Sequence, residues 1–229
     1  MVPLSAPYHP TQQSATDPTK WSPILGYDSV GTLSPIEEHL LETEWALSVL
    51  FGTGAMAKIR ARKLWDGPQS KLLLQKWIAW AKRYRRVLSA EFVTLKHGTV
   101  CDSDTLFSPT QGTGVFPDSR CNQTGLDAIL HRAPQAFYPD IQERGLAMVW
   151  NPTDRNLTAT IRAPLYYAGI SRARGHRAVL ISHEGRPGAR ATLDANDAVS
   201  FTTRLLPRGL TWFVISEENE AVASPPPTK

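Results

Sequence analysis

Residues 145–169 read GLAMVWNPTDRNLTATIRAPLYYAG, and this stretch decides the fold. An apolar run at 146–150 meets a cluster of turn-forming residues at 151–154, and an alternating segment follows at 157–161. Alternation with a period of two is typical of a β-strand with one buried face. The stretch therefore predicts two strands that pair as a β-hairpin across the Asn-Pro-Thr-Asp turn.

Further short strands are predicted on both sides of this hairpin. Apolar segments of strand length, separated by turn-forming residues, occur at 92–95, 165–167, 178–182, 190–193, 199–205 and 210–215. Several strands at such spacing are typical of a β-sandwich. We therefore predict a C-terminal β-sandwich over residues 125–217, followed by a disordered, proline-rich tail at 218–229.

The sequence before residue 92 predicts two helices. Ser34-Pro35-Ile36-Glu37 has the pattern of a capping box, and the helix that it starts is expected to run to about Leu50. A second helix is expected from Asp66-Gly67-Pro68 to about Ser89, with an apolar stripe whose spacing indicates core packing rather than a ligand platform. The stripe consists of Leu73, Trp77, Trp80, Tyr84 and Val87.

Together these patterns predict an α+β protein in which a helical part precedes an all-β part. Residues 1–33 lack periodicity and are interpreted as an irregular N-terminal arm, and residues 34–96 carry the helices. Residues 97–124 are rich in Gly, Ser, Thr and Asp, so we expect a loop that is disordered or closed by a disulfide.

The composition is that of a globular protein with a mild basic excess. The chain has 229 residues, a net charge of +4 and 41% hydrophobic residues, enough to bury a core. It has no apolar run of about 18 residues and no basic start of a signal peptide, so a membrane partner is not expected. Basic residues gather at 58–63, 82–86 and 172–177, but no nucleic-acid motif accompanies them, and a nucleic-acid partner is not expected either.

Two cysteines and two glycosylation motifs bear on the compartment. Cys101 and Cys121 lie within the 97–124 loop, where a disulfide would stabilise the protein by about 3 kcal/mol. Asn122 and Asn156 each begin an Asn-X-Thr sequon. These features favour a secretory route slightly over a cytosolic chain with two free thiols.

Several segments of the chain resemble one group of large glycoside hydrolase-like proteins. Residues 1–4 with Tyr8 and His9 resemble the "MVPLTEYH" end of a late strand in their (β/α)8 barrel. Glu44-Trp45, residues 51–57 and Arg60 resemble the "YEWH…FGxGVQACYRG" stretch that follows. Residues 77–85 resemble the "KKWVxWYKKYR" helix that closes the barrel, and residues 145–169 resemble "RGLAMVYNPTDR…LPLYYTGL" in the C-terminal β-domain.

The resemblance implies that the fold is partial (β/α)8-barrel helices followed by a small all-β sandwich. It implies Tyr8, His9, Glu44, Trp45 and Arg60 as candidate substrate-binding residues. The alternatives are an irregular arm for Tyr8 and His9, core packing for Trp45, and a surface ion pair for Glu44 with Arg60. The polar and aromatic positions of "VQACYRG" are replaced at 55–61 by AMAKIRA, so conservation of the sugar contacts there is not implied.

The catalytic carboxylates of such barrels belong to earlier strands, so none is assigned in this chain. No metal-ligand spacing, phosphate loop or other cofactor motif is present in the sequence. We therefore expect the C-terminal portion of a carbohydrate-active enzyme, inactive alone and active only when joined to a complete barrel. The alternative is a non-catalytic carbohydrate-binding or protein-interaction module, which would associate with itself or a partner chain through exposed barrel helices.

Overall fold

The structure is a computed structural model that describes residues 37, 40–54, 65, 67–96, 98–100, 122–123 and 125–218. In this part of the chain the helices are α1 (Leu40–Gly52) and α2 (Pro68–Leu88). The strands are β1 (Phe92–Lys96), β2 (Thr99–Val100), β3 (Asn122–Gln123), β4 (Asp127–Arg132), β5 (Glu143–Trp150), β6 (Leu157–Pro164), β7 (Ala178–His183), β8 (Ala189–Thr192), β9 (Ala198–Leu205) and β10 (Leu210–Glu217). Short 3-10 turns occupy Tyr166–Ala168 and Arg172–Arg174. The fold is thus mixed, with few helices and mostly antiparallel strands.

The main sheet has six strands in the order β1-β4-β5-β10-β7-β8. All of its neighbouring pairs are antiparallel, and β5 and β10 form its centre. Strands β6 and β9 form a separate two-stranded ribbon, and β2 pairs with β3. Ile161 of the ribbon packs in one cluster with Ala147 of β5 and Phe213 of β10, so the ribbon covers one face of the main sheet.

The helices cover the other face of the main sheet. Alternate residues of β5 point to opposite faces, as the period of two requires. Leu146, Met148 and Trp150 pack with α1 and α2, whereas Ala147 and Val149 pack with the ribbon. The Trp150 indole donates a hydrogen bond to the Ser48 hydroxyl at 2.9 Å, which fixes α1 against this central strand.

The aromatic stripe of α2 lies in the interior. Trp77, Trp80, Tyr84 and Val87 are all buried and belong to the cluster between the helices and the sheet. The Trp77 and Trp80 rings lie 5.3 Å apart, and both meet Trp212 of β10 edge to face. The interpretation of this stripe as core is confirmed for these four residues, and it leaves no exposed aromatic face on α2; Leu73 is only half-buried, and its neighbour Leu74 is the buried leucine.

The start of α2 is capped by a residue from another part of the chain. Gly67 at the N-cap has no side chain, and Glu37 supplies the acceptor: its carboxylate accepts hydrogen bonds from the backbone N–H groups of Gln69 (2.9 Å) and Ser70 (2.7 Å). Burial acts to raise the pKa of Glu37, but the hydrogen bonds from Ser70 and Gln69 outweigh it and lower the pKa. The sequence predicts that Glu37 caps the first helix, together with Ser34. In the structure Glu37 caps α2 instead, and residues 34–36 lie outside the described part of the chain.

The predicted hairpin across residues 151–154 is wrong. Both segments are strands, but β5 pairs with β4 and β10, and β6 pairs with β9 in the other layer. The physical reason lies in the buried Asn151 side chain, which donates to the carbonyls of Arg155 and Leu206, each at 2.7 Å. These bonds fix residues 151–155 against the β9–β10 connection. The chain therefore continues into the ribbon as β6 and does not turn back to pair with β5.

One other strand prediction is wrong, and one strand is missing from the prediction. The predicted strand at 165–167 is a 3-10 turn, because Leu165, Ala168 and Ile170 are the residues that reach the core. Strand β4 was not predicted, although all six of its residues are buried. A strand buried on both faces shows no alternation, so the period of two that identified β6 and β9 is missing there.

His131 of β4 is buried between two carbonyl groups. Its Nε2 lies 2.7 Å from the Gly52 oxygen and its Nδ1 lies 3.4 Å from the Ala90 oxygen. A carbonyl can only accept, so the neutral ring carries its proton on Nε2 and donates it to Gly52. This contact joins the end of α1 to the sheet.

We expect the folded protein to lose stability as the pH falls below about 6.5, the ordinary pKa of histidine. Burial lowers the pKa of His131, and the two carbonyl contacts offset this only in part. Below this pH, His131 is protonated in the unfolded chain but stays neutral in the folded chain. The free energy of unfolding therefore falls by up to about 1.4 kcal/mol for each unit by which the pH is lowered. Urea unfolding at pH 7.5 and 5.5 measures this loss. His131→Gln should flatten the dependence, and an unchanged slope in that variant would contradict the assignment.

The β2–β3 pairing bears on the predicted disulfide. Thr99 lies opposite Gln123, and Val100 lies opposite Asn122. Cys101 and Cys121 directly follow and precede these two strands in the sequence, and both lie outside the described residues.

We therefore propose a Cys101–Cys121 disulfide. A non-reduced peptide digest should contain the linked pair, and reduction should lower the free energy of unfolding by about 3 kcal/mol. Recovery of two alkylated thiols from protein that was never reduced would contradict the proposal.

Neither described helix is long and apolar enough to cross a membrane.

Candidate functional site

A cleft of about 350 Å³ lies where the helices meet two turns of the main sheet. Helices α1 and α2 form one side, and the β7–β8 and β9–β10 connections form the other. Its lining combines charged groups with apolar side chains and one indole: Leu41, Glu44, Lys76, Glu184, Arg208, Gly209, Leu210 and Trp212.

Glu44 is held in place by two donors from α2. Its Oε1 accepts hydrogen bonds from Lys76 Nζ at 2.5 Å and from the Trp77 indole at 3.3 Å. The Glu44 side chain remains 28% exposed, so part of the carboxylate is open to the cleft. Glu44 therefore offers a fixed acceptor to a ligand while its partner Lys76 offers a cation.

Glu184 is held by the neighbouring strand. The buried Thr211 hydroxyl donates to Glu184 Oε1 at 2.7 Å and lies 2.7 Å from His183 Nε2. Because the Thr211 hydroxyl donates its one proton to the Glu184 carboxylate, its oxygen can only accept from His183. His183 therefore donates its Nε2 proton to the Thr211 oxygen. The resulting chain of hydrogen bonds orients the carboxylate at the rim of the cleft.

Glu184 has a backbone conformation that its residue type disfavours. Its φ is 52° and that of Gly185 is 76°, and the Arg186 N–H bonds to the His183 carbonyl at 3.0 Å. This is the pattern of a type I′ turn, whose first central position normally takes Asn, Asp or Gly.

Arg208 shows the same kind of conformation on the opposite side of the cleft. It has a φ of 56° and follows Pro207, in a turn closed by the Gly209 N–H on the Leu206 carbonyl at 3.0 Å. Proline followed by a positive φ is the pattern of a type II turn, which normally has Gly or Asn at the Arg208 position. The Arg208 guanidinium donates to the Pro152 carbonyl. Burial lowers the pKa of Arg208, and Asp154 offsets part of that effect.

The described residues contain three non-glycine residues at positive φ, and two of them line this cleft. The third, Asp197, lies outside the cleft lining, and its carboxylate accepts a hydrogen bond from the Arg172 N–H at 2.7 Å. Disfavoured backbone conformations persist where the surroundings or a function require the side chain. Glu184 and Arg208 therefore identify the cleft as a candidate site.

Trp212 supplies the aromatic surface. The residue is half-buried, and its indole Nε1 has no hydrogen-bond partner within the described part of the chain. The Nε1 atom itself is buried, so Trp212 contributes the apolar surface of its ring to the cleft and not a hydrogen-bond donor. Two carboxylates, two cations and one indole can together bind a molecule that has both hydroxyl groups and an apolar face.

The residues predicted from sequence are only partly described. Glu44 lies in the cleft, with Lys76 as its ion-pair partner. Trp45 is 1% exposed in the core beneath α1. Asn156 is exposed in the connection before β6, and the backbone of Asn122 lies in β3. Tyr8, His9 and Arg60 lie outside the described residues, as do both cysteines.

Sequence reasoning missed Glu184, Arg208 and Trp212. A signal exists for the first two: HEGR at 183–186 and LPRGL at 206–210 place a charged residue where a tight turn favours Gly or Asn. Nothing in the sequence relates these turns to Glu44. Within the described residues no group of His, Cys, Asp and Glu could hold a metal ion.

No protein-family model and no curated protein matches this chain. Among solved structures it is similar to a Bacillus halodurans C-125 protein assigned as an alpha-N-acetylgalactosaminidase, with a TM-score of 0.40 and 11% identity. That match covers 78% of this chain and 31% of the other. AmyP in complex with maltose matches with a TM-score of 0.36 and 8% identity, over 79% of this chain and 36% of that one. The chain thus spans about a third of the length of each matched structure.

Proposed function

We propose that this chain is the C-terminal portion of a glycoside hydrolase-related, carbohydrate-active protein, and that the cleft is where it contacts carbohydrate. The single observation that carries the proposal is the placement of Glu184 and Arg208, at backbone positions that disfavour them, beside Trp212 and Glu44. The sequence resemblance at 34–96 and 125–215 supports the same class. On this proposal, residues 34–96 supply the helices of a partial (β/α)8 barrel, with strand β1 at their end, and residues 125–217 form a β-sandwich.

The groups in the cleft suit a neutral sugar. Glu44 and Glu184 are formally balanced by Lys76 and Arg208, so the cleft carries no large net charge. Sugar hydroxyls can donate to the carboxylates and accept from the cations, and a pyranose ring can lie on the Trp212 indole. Hydrogen bonds to charged groups contribute about 1.5–3 kcal/mol each, which favours a few well-placed contacts over a large interface.

We propose that the isolated chain binds sugar but does not cleave glycosides. Glycosidases place two carboxylic groups across the scissile bond, one as acid and one as base or nucleophile. Here Glu44 is bound to a lysine and an indole, and Glu184 to a hydroxyl, so both act as oriented acceptors. On this proposal the catalytic carboxylates belong to barrel strands that this chain does not supply.

A glycan array of neutral oligosaccharides, probed with the purified chain, tests sugar binding. For the best glycan, Glu184→Gln should weaken binding about tenfold, because it removes a charge-assisted hydrogen bond worth about 1.4 kcal/mol. Its stability should stay within about 0.5 kcal/mol of the wild type, since the amide oxygen can still accept from Thr211.

The matched control is Glu218→Gln, which makes the same change at a carboxylate paired with Arg190 outside the cleft lining. It should bind like the wild type. Equal affinity of both variants, or an array without any bound glycan, would contradict the proposed site.

The second candidate is a non-catalytic protein-interaction module. Leu41 and Leu72 on the two helices are more than half exposed, and a partner chain or a second copy could cover them. Concentration-dependent sedimentation of the wild type and of Leu41→Ser with Leu72→Ser tests this candidate. Association that the double variant abolishes would favour it, and a monomer at all concentrations would speak against self-association.

A further inference from the structure

Two tyrosines are fixed on the surface in a place that the cleft does not include. Tyr166 and Tyr167 are 60% and 65% exposed, on the 3-10 turn between β6 and β7. The residues around them, Leu165, Ala168 and Ile170, are fully buried, so the turn can only direct both rings outward. Gly169 then ends the turn at a φ of 88°.

The Tyr167 ring is supported from below. The Arg132 guanidinium lies 4.9 Å from its centre, a cation–π contact. Arg132 is itself 7% exposed and bonds to Glu91 at 3.1 Å, so its charge is balanced and its position is fixed. Tyr166 meets Tyr167 edge to face at 5.3 Å and 90°. The Tyr167 side chain is therefore already ordered, and stacking of a ligand on it would cost the protein little side-chain entropy.

Basic and polar groups lie beside Gly169, two residues after Tyr167. Arg174 Nη1 and the Gln135 backbone nitrogen both lie close to Gly169. A Cβ atom added at Gly169 would be 3.6 Å from the first and 3.5 Å from the second. Arg174 and its neighbour Arg172 are exposed, and each belongs to the turn Arg172–Arg174. The turn that carries Gln135 ends at Phe137, whose ring is 80% exposed. Exposed aromatic rings next to arginine thus characterise this surface.

We propose that Tyr166 and Tyr167, with Arg174, form a second binding surface, for an acidic glycan that carries carboxylate groups. One sugar ring would stack on Tyr167, the phenol hydroxyls would bond to sugar hydroxyls, and Arg174 would meet a carboxylate. A protein partner fits less well. The two rings are perpendicular and offer no common flat face, and two or three side chains fall far short of the roughly 800 Å² per partner of a stable protein interface.

The proposal does not depend on the function of the cleft. Its test is a calorimetric titration of the whole chain with hexagalacturonate, and with maltohexaose as a neutral hexasaccharide. We expect binding of hexagalacturonate that falls at least tenfold in Tyr167→Ala and about threefold to tenfold in Arg174→Ala. Tyr167→Phe keeps the ring and should stay within about threefold of the wild type.

Two controls separate this surface from other causes. Leu72→Ala removes an exposed apolar side chain of α2, and Glu218→Gln changes a carboxylate that is paired with Arg190 outside the cleft lining; both should bind hexagalacturonate as the wild type does. Melting temperatures of the variants verify folding. No binding of hexagalacturonate, equal binding of it by Tyr167→Ala, maltohexaose binding that is equally tight and that Tyr167→Ala weakens to the same degree, or tighter binding of hexaglutamate would each overturn the proposal.

Discussion

Replacing Trp77 with alanine should lower the free energy of unfolding by about 3–5 kcal/mol, the range measured when a large buried aromatic is truncated. Trp77 is 1% exposed and lies between α2 and the main sheet. Its loss would remove the ring contacts with Trp80 and Trp212 and the hydrogen bond to Glu44. Urea unfolding followed by circular dichroism measures the effect.

Leu72→Ala is the matched control, because Leu72 lies on the same helix but is 58% exposed. Its effect should stay within about 0.5 kcal/mol. If the two variants lost similar stability, α2 would not pack on the sheet through its aromatic stripe, and the layer arrangement would be wrong. If Trp77→Ala fails to fold, Trp77→Phe should give a folded protein with a smaller loss, and its stability then serves as the measure.

Replacing Asn151 with alanine should lower the free energy of unfolding by about 2–4 kcal/mol, because buried polar groups would lose their partners. The Asn151 amide donates to the carbonyls of Arg155 and Leu206, each at 2.7 Å. Its carbonyl oxygen accepts from the Thr153 N–H at 3.1 Å and from the Thr153 hydroxyl at 2.7 Å. The same unfolding experiment measures the loss.

Two substitutions control this result. Asn156→Ala, five residues away in an exposed position, should change stability by no more than about 0.5 kcal/mol. Asn151→Asp keeps an acceptor for Thr153 but cannot donate to the carbonyls, so it should also be destabilising. If Asn151→Ala left the free energy of unfolding unchanged, these hydrogen bonds would not be what directs the chain from β5 into the ribbon.

Local sequence patterns predict where most helices and strands lie. They do not predict which strands pair with each other. The stripe of α2 has helical spacing and β9 alternates, so both could be predicted. The pairing of β5 with β10 joins residues 146 and 214, and no local pattern encodes that distance. The Asn-Pro-Thr-Asp turn was interpreted as a hairpin because its residues suit one. The direction of the chain depends on Asn151 reaching carbonyls of Arg155 and of the distant Leu206.

The candidate site could be predicted only in part for the same reason. Glu44 was identified through the sequence resemblance, but the cleft that contains it is completed by Glu184 and Arg208 from later turns. Glu184 lies in the β7–β8 hairpin turn and Arg208 in the turn that joins the ribbon strand β9 to β10, so the cleft forms where distant parts of the chain meet. Glu37 is a similar case, since its partners Gln69 and Ser70 lie on the next helix.

The most direct test of the account is one session in which the purified chain is offered a panel of chromogenic glycosides and the neutral glycan array. We predict binding of at least one neutral glycan and no turnover of any glycoside, as expected for a sugar-contacting portion without catalytic carboxylates. Turnover that disappears in Glu184→Gln or Glu44→Gln would contradict the claim that the catalytic groups lie elsewhere. No binding and no turnover would contradict the assignment of the cleft to carbohydrate.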